Sequence, residues 1–140
     1  MSADKLCAGL HRLDIETHAR VEFRDVTRQV QQVIIESGME SGMCVLFVPH
    51  TTAAVLVNEN YDSELPRDFN EFLRTLAPRD RTYHHDDGNA DAHLKAAVIG
   101  ASKTLVVESS RLVLGTWQGV FLCEFDGPRQ RRLLVKLVAG

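Results

Sequence analysis

Residues 43–57 read MCVLFVPHTTAAVLV. Two short apolar runs, Met43–Val48 and Ala53–Val57, are parted by Pro-His-Thr-Thr. Runs this short, apolar at successive positions rather than at every third or fourth, predict strands buried on both faces. Pro49 lacks an N–H and stops the first ladder. His50, Thr51 and Thr52 therefore stand at a strand end.

Working outward, the chain alternates helical and extended patterns. On the N-terminal side, Leu6, Ala8 and Leu10 share one phase and Val21 and Phe23 another, which predicts two strands joined near Thr17–Arg20. Val26, Val30, Val33 and Ile34 then fall on one helical face, with Asp25 or Thr27 as cap and Gly38 suited to the left-handed position past the end. On the other side, Leu65, Phe69, Phe72, Leu73 and Leu76 mark a second helix. Asp62 or Ser63 can cap it, Pro66 fits its first turn and Pro78 lies beyond its end. Residues 78–91, PRDRTYHHDDGNAD, form a polar loop of a length that is often functional. A short helix over about Asp91–Ile99 closes at Gly100. The remainder reads as strands over Thr104–Val107, Leu112–Leu114, Gln118–Phe125 and Arg132–Val138, with turns at Glu108–Ser110 and Asp126–Pro128. Hairpins mixed with separate helices predict an α+β domain spanning residues 1–140.

Composition excludes several classes. The chain has 140 residues, enough for a single domain with its own core. Sixteen Lys and Arg against 19 Asp and Glu leave a net charge of −3, which argues against binding nucleic acid through bulk charge. No apolar run approaches the ~20 residues of a membrane helix, and MSADKLCAGLHRLD has no signal-peptide core, so a cytoplasmic protein is expected. Cys7, Cys44 and Cys123 are odd in number and widely spaced, with no Cys-x-x-Cys, so buried reduced thiols are expected rather than a disulfide or thiolate site. No G-x-S-x-G, P-loop or G-x-G-x-x-G is present.

The polar residues are unevenly informative. His11 and His18 have no partner at ligand spacing and read as solvated. His50, by contrast, ends a strand, while His84, His85 and His93 lie in or beside the loop among Asp86, Asp87, Asn89 and Asp91. Three imidazoles, His50, His85 and His93, can meet at a divalent ion if the loop folds back. The spacing equally permits a surface loop whose histidines and aspartates only solvate and cap. Glu59, flanked by Asn58 and Asn60 at the end of the second buried run, can serve as metal ligand, as orienter of a histidine or as general base. Thr116 and Gln118, either side of Trp117, can line a cleft, or Trp117 can be a core aromatic. Arg129 and Arg131 alternate and so share a strand face able to grip a phosphate, unless the run is a solvated edge that Glu124 neutralises.

Several stretches, in this order, carry a resemblance: His50-Thr51-Thr52-Ala53; Asn58-Glu59-Asn60; Tyr83-His84-His85-Asp86 through Asn89 to Ala92-His93-Leu94-Lys95; Gly100-Ala101-Ser102; Leu112–Gln118; and Glu124–Arg129. Over essentially its whole length the chain resembles the YjbQ-like family, whose members are often called secondary thiamine-phosphate synthases. The family has a glycine in the turn where this chain has Ser110. It also has one histidine where this chain has two, and His85 is matched to it because an Asp follows.

The resemblance implies a single-domain sandwich of two mostly antiparallel sheets flanked by helices, assembled as a homotrimer. It implies a divalent metal, zinc or magnesium or manganese, on His50, His85 and His93. The implied reaction joins a pyrimidine diphosphate to a thiazole phosphate and releases pyrophosphate. His50, Glu59, His85 and His93 would be catalytic, and Thr51, Thr52, Asn58, Asn89, Thr116, Gln118, Arg129 and Arg131 would hold a small phosphorylated substrate. Two other expectations compete: a metal-assisted hydrolase of a phosphorylated or acylated metabolite, and a non-catalytic trimeric metal- or ligand-binding protein.

Overall fold

The computed structural model describes residues 9–140. Leu6, Cys7 and Ala8 lie outside the described residues. The strands are β1 (Leu10–Glu16), β2 (Glu22–Asp25), β3 (Gly42–Phe47), β4 (Ala53–Glu59), β5 (Ser102–Glu108), β6 (Arg111–Leu112), β7 (Gln118–Glu124) and β8 (Gln130–Ala139). The helices are α1 (Thr27–Ser37), α2 (Leu65–Leu76) and α3 (Ala90–Ile99). A five-stranded sheet of order β1-β8-β3-β5-β6 faces a three-stranded sheet of order β2-β7-β4, and every pairing is antiparallel. The α+β class expected from the residues and the two antiparallel sheets implied by the resemblance are both observed.

The burial pattern explains why Ala53–Val57 is so apolar, and it corrects the expectation for Met43–Val48: β3 buries Cys44 and Leu46 but leaves Met43 and Phe47 exposed on its outer face. Ala53, Val55, Val120 and Leu122 face the five-stranded sheet and join one core with Cys44, Leu46, Leu133 and Val135. Ala54, Phe121, Cys123 and Phe125 point the other way, into a second core under Leu73 of α2 and Ala92 and Ala96 of α3. The small sheet is thus buried on both faces, and alternation cannot show in its sequence. Burial pushes the thiols of Cys44, to about 12, and Cys123 far up, so both stay protonated and inert.

Local chemistry places the helices. The Asp25 carboxylate accepts from the Thr27 backbone N–H at 2.9 Å and from its hydroxyl at 2.6 Å, at the start of α1. Gly38 ends α1 at φ 75°, the left-handed value its position demands. Asp62 accepts from the Glu64 N–H just before α2, and Pro66 sits in the first turn. Only Leu73 of the apolar stripe on α2 is fully buried, while Phe72 and Leu76 stay exposed. Ser109 and Ser110 take φ of 53° and 61° in the turn between β5 and β6. The residue that departs from the family glycine therefore occupies a left-handed position.

Candidate functional site

The register of β4 on β7 divides the candidate residues into two groups. Ala53 pairs with Glu124 at one end, and Glu59 with Gln118 at the other. At roughly 3.4 Å per residue these ends lie about 20 Å apart. His50, Thr51, Thr52, Arg129 and Arg131 belong to the first end. Asn58, Glu59, Thr116 and Gln118 belong to the second. Within one chain, then, the expected single constellation is two.

The first end is a connected polar network. Arg131 of β8 points inward, and its guanidinium donates to Glu124 Oε1 at 2.8 Å, to Oε2, and to Thr52 Oγ1 at 2.7 Å. The Thr17 hydroxyl donates to Glu124 at 2.7 Å, and the Asp126 N–H donates to it at 3.0 Å. Burial alone would raise the Glu124 pKa, but the bonds from Arg131, Thr17 and Asp126 outweigh it and hold the group below its ordinary value. Asp126 accepts from Arg129 at 2.8 Å, from Asn89 at 2.8 Å and from Arg20 at 3.1 Å. It too is held below its ordinary pKa, its desolvation outweighed by the Asn89 bond and the two arginines. Arg20 reaches on to Asp91, which also accepts from the buried Lys95 at 3.1 Å.

This arrangement corrects two expectations. Arg131 does not share a phosphate-gripping face with Arg129: β8 begins at Gln130, so Arg129 sits before the strand and Arg131 is its first inward residue. Arg131 and Thr52 are spent on Glu124 and on each other, in the interior. Arg129, about half exposed and tied to Asp126, is the arginine of the pair that fits a ligand contact.

The network also assigns protons. Asp126 is a pure acceptor, so the Asn89 amide must turn its Nδ2 toward it. Asn89 Oδ1 then faces His85 Nε2 at 3.1 Å, and that nitrogen must carry the proton. The lone pair of His85 is therefore on Nδ1. The His85 and His93 rings stand edge to face with centroids 5.0 Å apart. Two imidazoles bound tetrahedrally to one ion at the usual ~2.1 Å place their centroids about 5 Å apart. A ligating histidine also normally donates its other N–H to a fixed acceptor, as His85 does to Asn89. The contact is equally that of ordinary edge-to-face ring packing, and the pair by itself supplies two ligands.

His50 does not join it. Its Nε2 accepts the Arg132 backbone N–H at 2.9 Å. Burial, together with the Arg131, Arg132 and Arg129 guanidinium groups, lowers its pKa against the pull of Glu124. Among the described residues, no group of three or more His, Cys, Asp or Glu side chains is arranged to hold a metal. His84 is exposed in the loop. His18 is exposed as expected, but His11 is half-buried on the inward phase of β1, its Nε2 buried without a hydrogen-bond partner among the described residues.

At the second end, Asn58 Oδ1 accepts from the Glu59 N–H, and Gln118 Oε1 closes its own turn on the Gly115 N–H at 2.8 Å. Thr116 is exposed beside Trp117, which is also exposed, not core, and packs edge to face on Tyr61 at 5.2 Å. Arg20, Asp126 and Thr17 were not predicted as site residues. Arg20 reaches Asp91 and Asp126, and Thr17 reaches Glu124 and Arg129, across 71 to 112 positions, and no local pattern signals such pairings. Among the described residues no helix is long and apolar enough to cross a membrane.

Comparison with known proteins agrees with this fold. A family model described as UPF0047 protein YjbQ-like matches residues 11–140. A UPF0047 protein of Methanocaldococcus jannaschii is 41% identical over 129 residues, covering 92% of this chain and 94% of its own. The UPF0047 protein YugU of Bacillus subtilis is 41% identical over 130 residues, covering 92% and 98%. Among solved structures, a YbjQ-like protein of unknown function from Sulfolobus solfataricus superposes with a TM-score of 0.90 at 36% identity, covering 94% of this chain and 97% of that one.

Proposed function

This chain belongs to the YjbQ-like UPF0047 family, and on that premise we propose that it is an enzyme of the thiamine-phosphate synthase type. It joins a pyrimidine diphosphate to a thiazole phosphate and releases pyrophosphate. The relatives' names carry no activity; the reaction is the one the family resemblance implies, and the site supplies groups compatible with it. The observation that supports it is the hydrogen-bonded run from His85 through Asn89 and Asp126 to Arg129, which ties the paired His85 and His93 rings to a half-exposed guanidinium.

In the reaction the thiazole nitrogen donates its electron pair to the pyrimidine methylene carbon. The carbon–oxygen bond to the diphosphate breaks, and its electron pair leaves with pyrophosphate. Negative charge grows on the leaving group, so positive groups that are already in place lower the barrier. Arg129 supplies one such charge, oriented by Asp126 through Nε and Nη2. A divalent ion, zinc, magnesium or manganese, held by His85 and His93 would neutralise more of it. Asn89 keeps His85 in the tautomer with Nδ1 bare.

The reading takes the protein as a cytoplasmic homotrimer acting on small phosphorylated molecules, with no role for nucleic acid or membrane. The outer face of the five-stranded sheet supports assembly. Met43, Phe47, Val106 and Val138 lie on it, each between 40% and 55% exposed, on strands that are adjacent in the sheet.

The test is pyrophosphate release with each substrate alone and with both, beside elemental analysis of the purified protein. Release that requires both substrates supports the reading. Phosphate or acid released from one substrate alone would replace it with a hydrolase.

A further inference from the structure

We infer that His50 and Arg132 form an anion-binding recess, in which the Nδ1–H of His50 donates to a phosphoryl oxygen and His50 is no metal ligand. The inference rests on the preceding reading only in taking the ligand to be a phosphate ester or diphosphate.

The hydrogen bond from the Arg132 backbone decides the chemistry of the ring. An imidazole nitrogen that accepts from an N–H carries a lone pair and no proton. Nε2 of His50 is that nitrogen. The neutral ring must then carry its proton on Nδ1, and the lone pair that a metal would need is already in use. Turning the ring to release Nε2 would take this partner from the Arg132 N–H, which costs a backbone hydrogen bond. Among the described residues no group accepts from Nδ1, so its proton is left for a ligand.

The surroundings suit an anion. His50 lines a cleft of about 290 Å³ with Asp14, Pro49, Gln130, Arg131 and Arg132. That is near the lower limit for small-molecule sites, a size for a phosphate or diphosphate group more than for a two-ring ligand. The Arg132 guanidinium is half exposed and only loosely paired, with Nε 3.6 Å from Asp14. Arg129 and Arg131 add positive charge near His50, while the Glu124 carboxylate is engaged by Arg131. Asp14, at the rim and largely exposed, is the carboxylate that opposes an incoming anion. One neutral N–H donor and one exposed guanidinium are a sufficient pair for a phosphoryl oxygen.

The experiment uses the full chain, inorganic pyrophosphate and zinc as separate probes, and the His50→Asn and His50→Gln variants. Asn places an amide near the Nδ1 position, and Gln places one near Nε2. In the wild type, long-range ¹H–¹⁵N spectra should show His50 protonated on Nδ1 alone, and pyrophosphate should shift that resonance. His50→Gln should weaken pyrophosphate about tenfold, the loss of one hydrogen bond to an anion. His50→Asn should stay within about threefold, and both should keep wild-type zinc affinity. A bare Nδ1, a His50 resonance that pyrophosphate leaves in place, or zinc affinity lost in both variants overturns the inference. If the wild type takes up no zinc, the metal role of His85 and His93 falls, and the pyrophosphate titration still decides His50.

Discussion

Arg131 of β8 and Glu124 of β7 form a buried ion pair that bolts the five-stranded sheet to the three-stranded one, with Nε donating to Oε1 at 2.8 Å. Thr17 and Thr52 satisfy the outer lone pairs and protons of the pair. Removing one partner leaves the other charged, buried and unmatched, which costs roughly 3–5 kcal/mol. Arg131→Met should therefore lower the stability measured by urea denaturation by about that amount. Arg131→Lys should recover little, because an ammonium cannot present the planar fork. A loss below about 1 kcal/mol in Arg131→Met would show that the pair does not hold the sheets together.

The same cluster sets the acid limit of stability. Glu124 and Asp126 have folded pKa values below their ordinary 4.5 and 3.8. Carboxylates lowered on folding contribute stability that is whole above the unfolded pKa and is lost as pH falls through the folded one. The urea midpoint should thus hold from neutrality to about pH 5 and fall steadily below it. Glu124→Gln should be less stable at neutral pH and lose less on acidification. Parallel acid limbs in the two proteins would assign the fall to other groups.

These residues also show what can be read in the sequence and what cannot. The helices and most strands were legible because their signals are local: Asp25 and Gly38 bracket α1, and Pro49 separates β3 from β4. The two His residues that meet, His85 and His93, lie eight positions apart on a loop and the helix it enters. Glu59 was placed with them because it ends a buried strand. The register of β4 on β7 sends it to the far end, and a register is not written in either strand alone. Alternation puts Arg129 and Arg131 on one face only inside a strand, and β8 starts at Gln130, between them. Which side of the sheet Arg131 faces depends on that start. The Glu124, Thr17 and Thr52 contacts join three separate elements, and only the folded chain displays them.

Ser110 sits at φ 61° next to Ser109 at φ 53°. A side chain in the left-handed region costs about 1–2 kcal/mol, which glycine avoids. Ser110→Gly should stabilise the protein by about 1 kcal/mol, raising the melting temperature by about 2–4 °C. Calorimetry on the single variant checks this. A lowered melting temperature would mean that the chain entropy added by glycine exceeds the strain removed.

Asn89 connects His85 to Asp126, accepting on one side and donating on the other. Asn89→Ala removes the nearer of the two acceptors facing the His85 Nε2 proton, leaving only Asp87 at 3.4 Å, so Nδ1 is held bare less firmly. Loss of such an outer partner typically lowers metal affinity by about 10- to 100-fold. Zinc titrations should show a drop of that order, and a larger one in His93→Asn, which removes a ring itself. Unchanged zinc affinity in both variants would remove the imidazole pair from the proposed metal site.

Val106 pairs with Met43, and Met43 with Val138, so three apolar side chains form one row across β5, β3 and β8 on the face turned away from the core. Phe47 pairs with Leu134 in a second row. Thr104, Val45 and Lys136 form the row between them, so the face is two apolar rows with one cation in the middle, and apolar rows of this kind are costly to leave in water. A guanidinium in the Val106 row would have to be desolvated without a partner in any assembly through this face. Val106→Arg should therefore convert the proposed trimer to monomer in size-exclusion chromatography with light scattering, while leaving the circular dichroism spectrum unchanged, because the side chain faces out. A wild-type protein that elutes as a monomer, or a Val106→Arg variant that keeps the wild-type mass, would take this face out of the assembly.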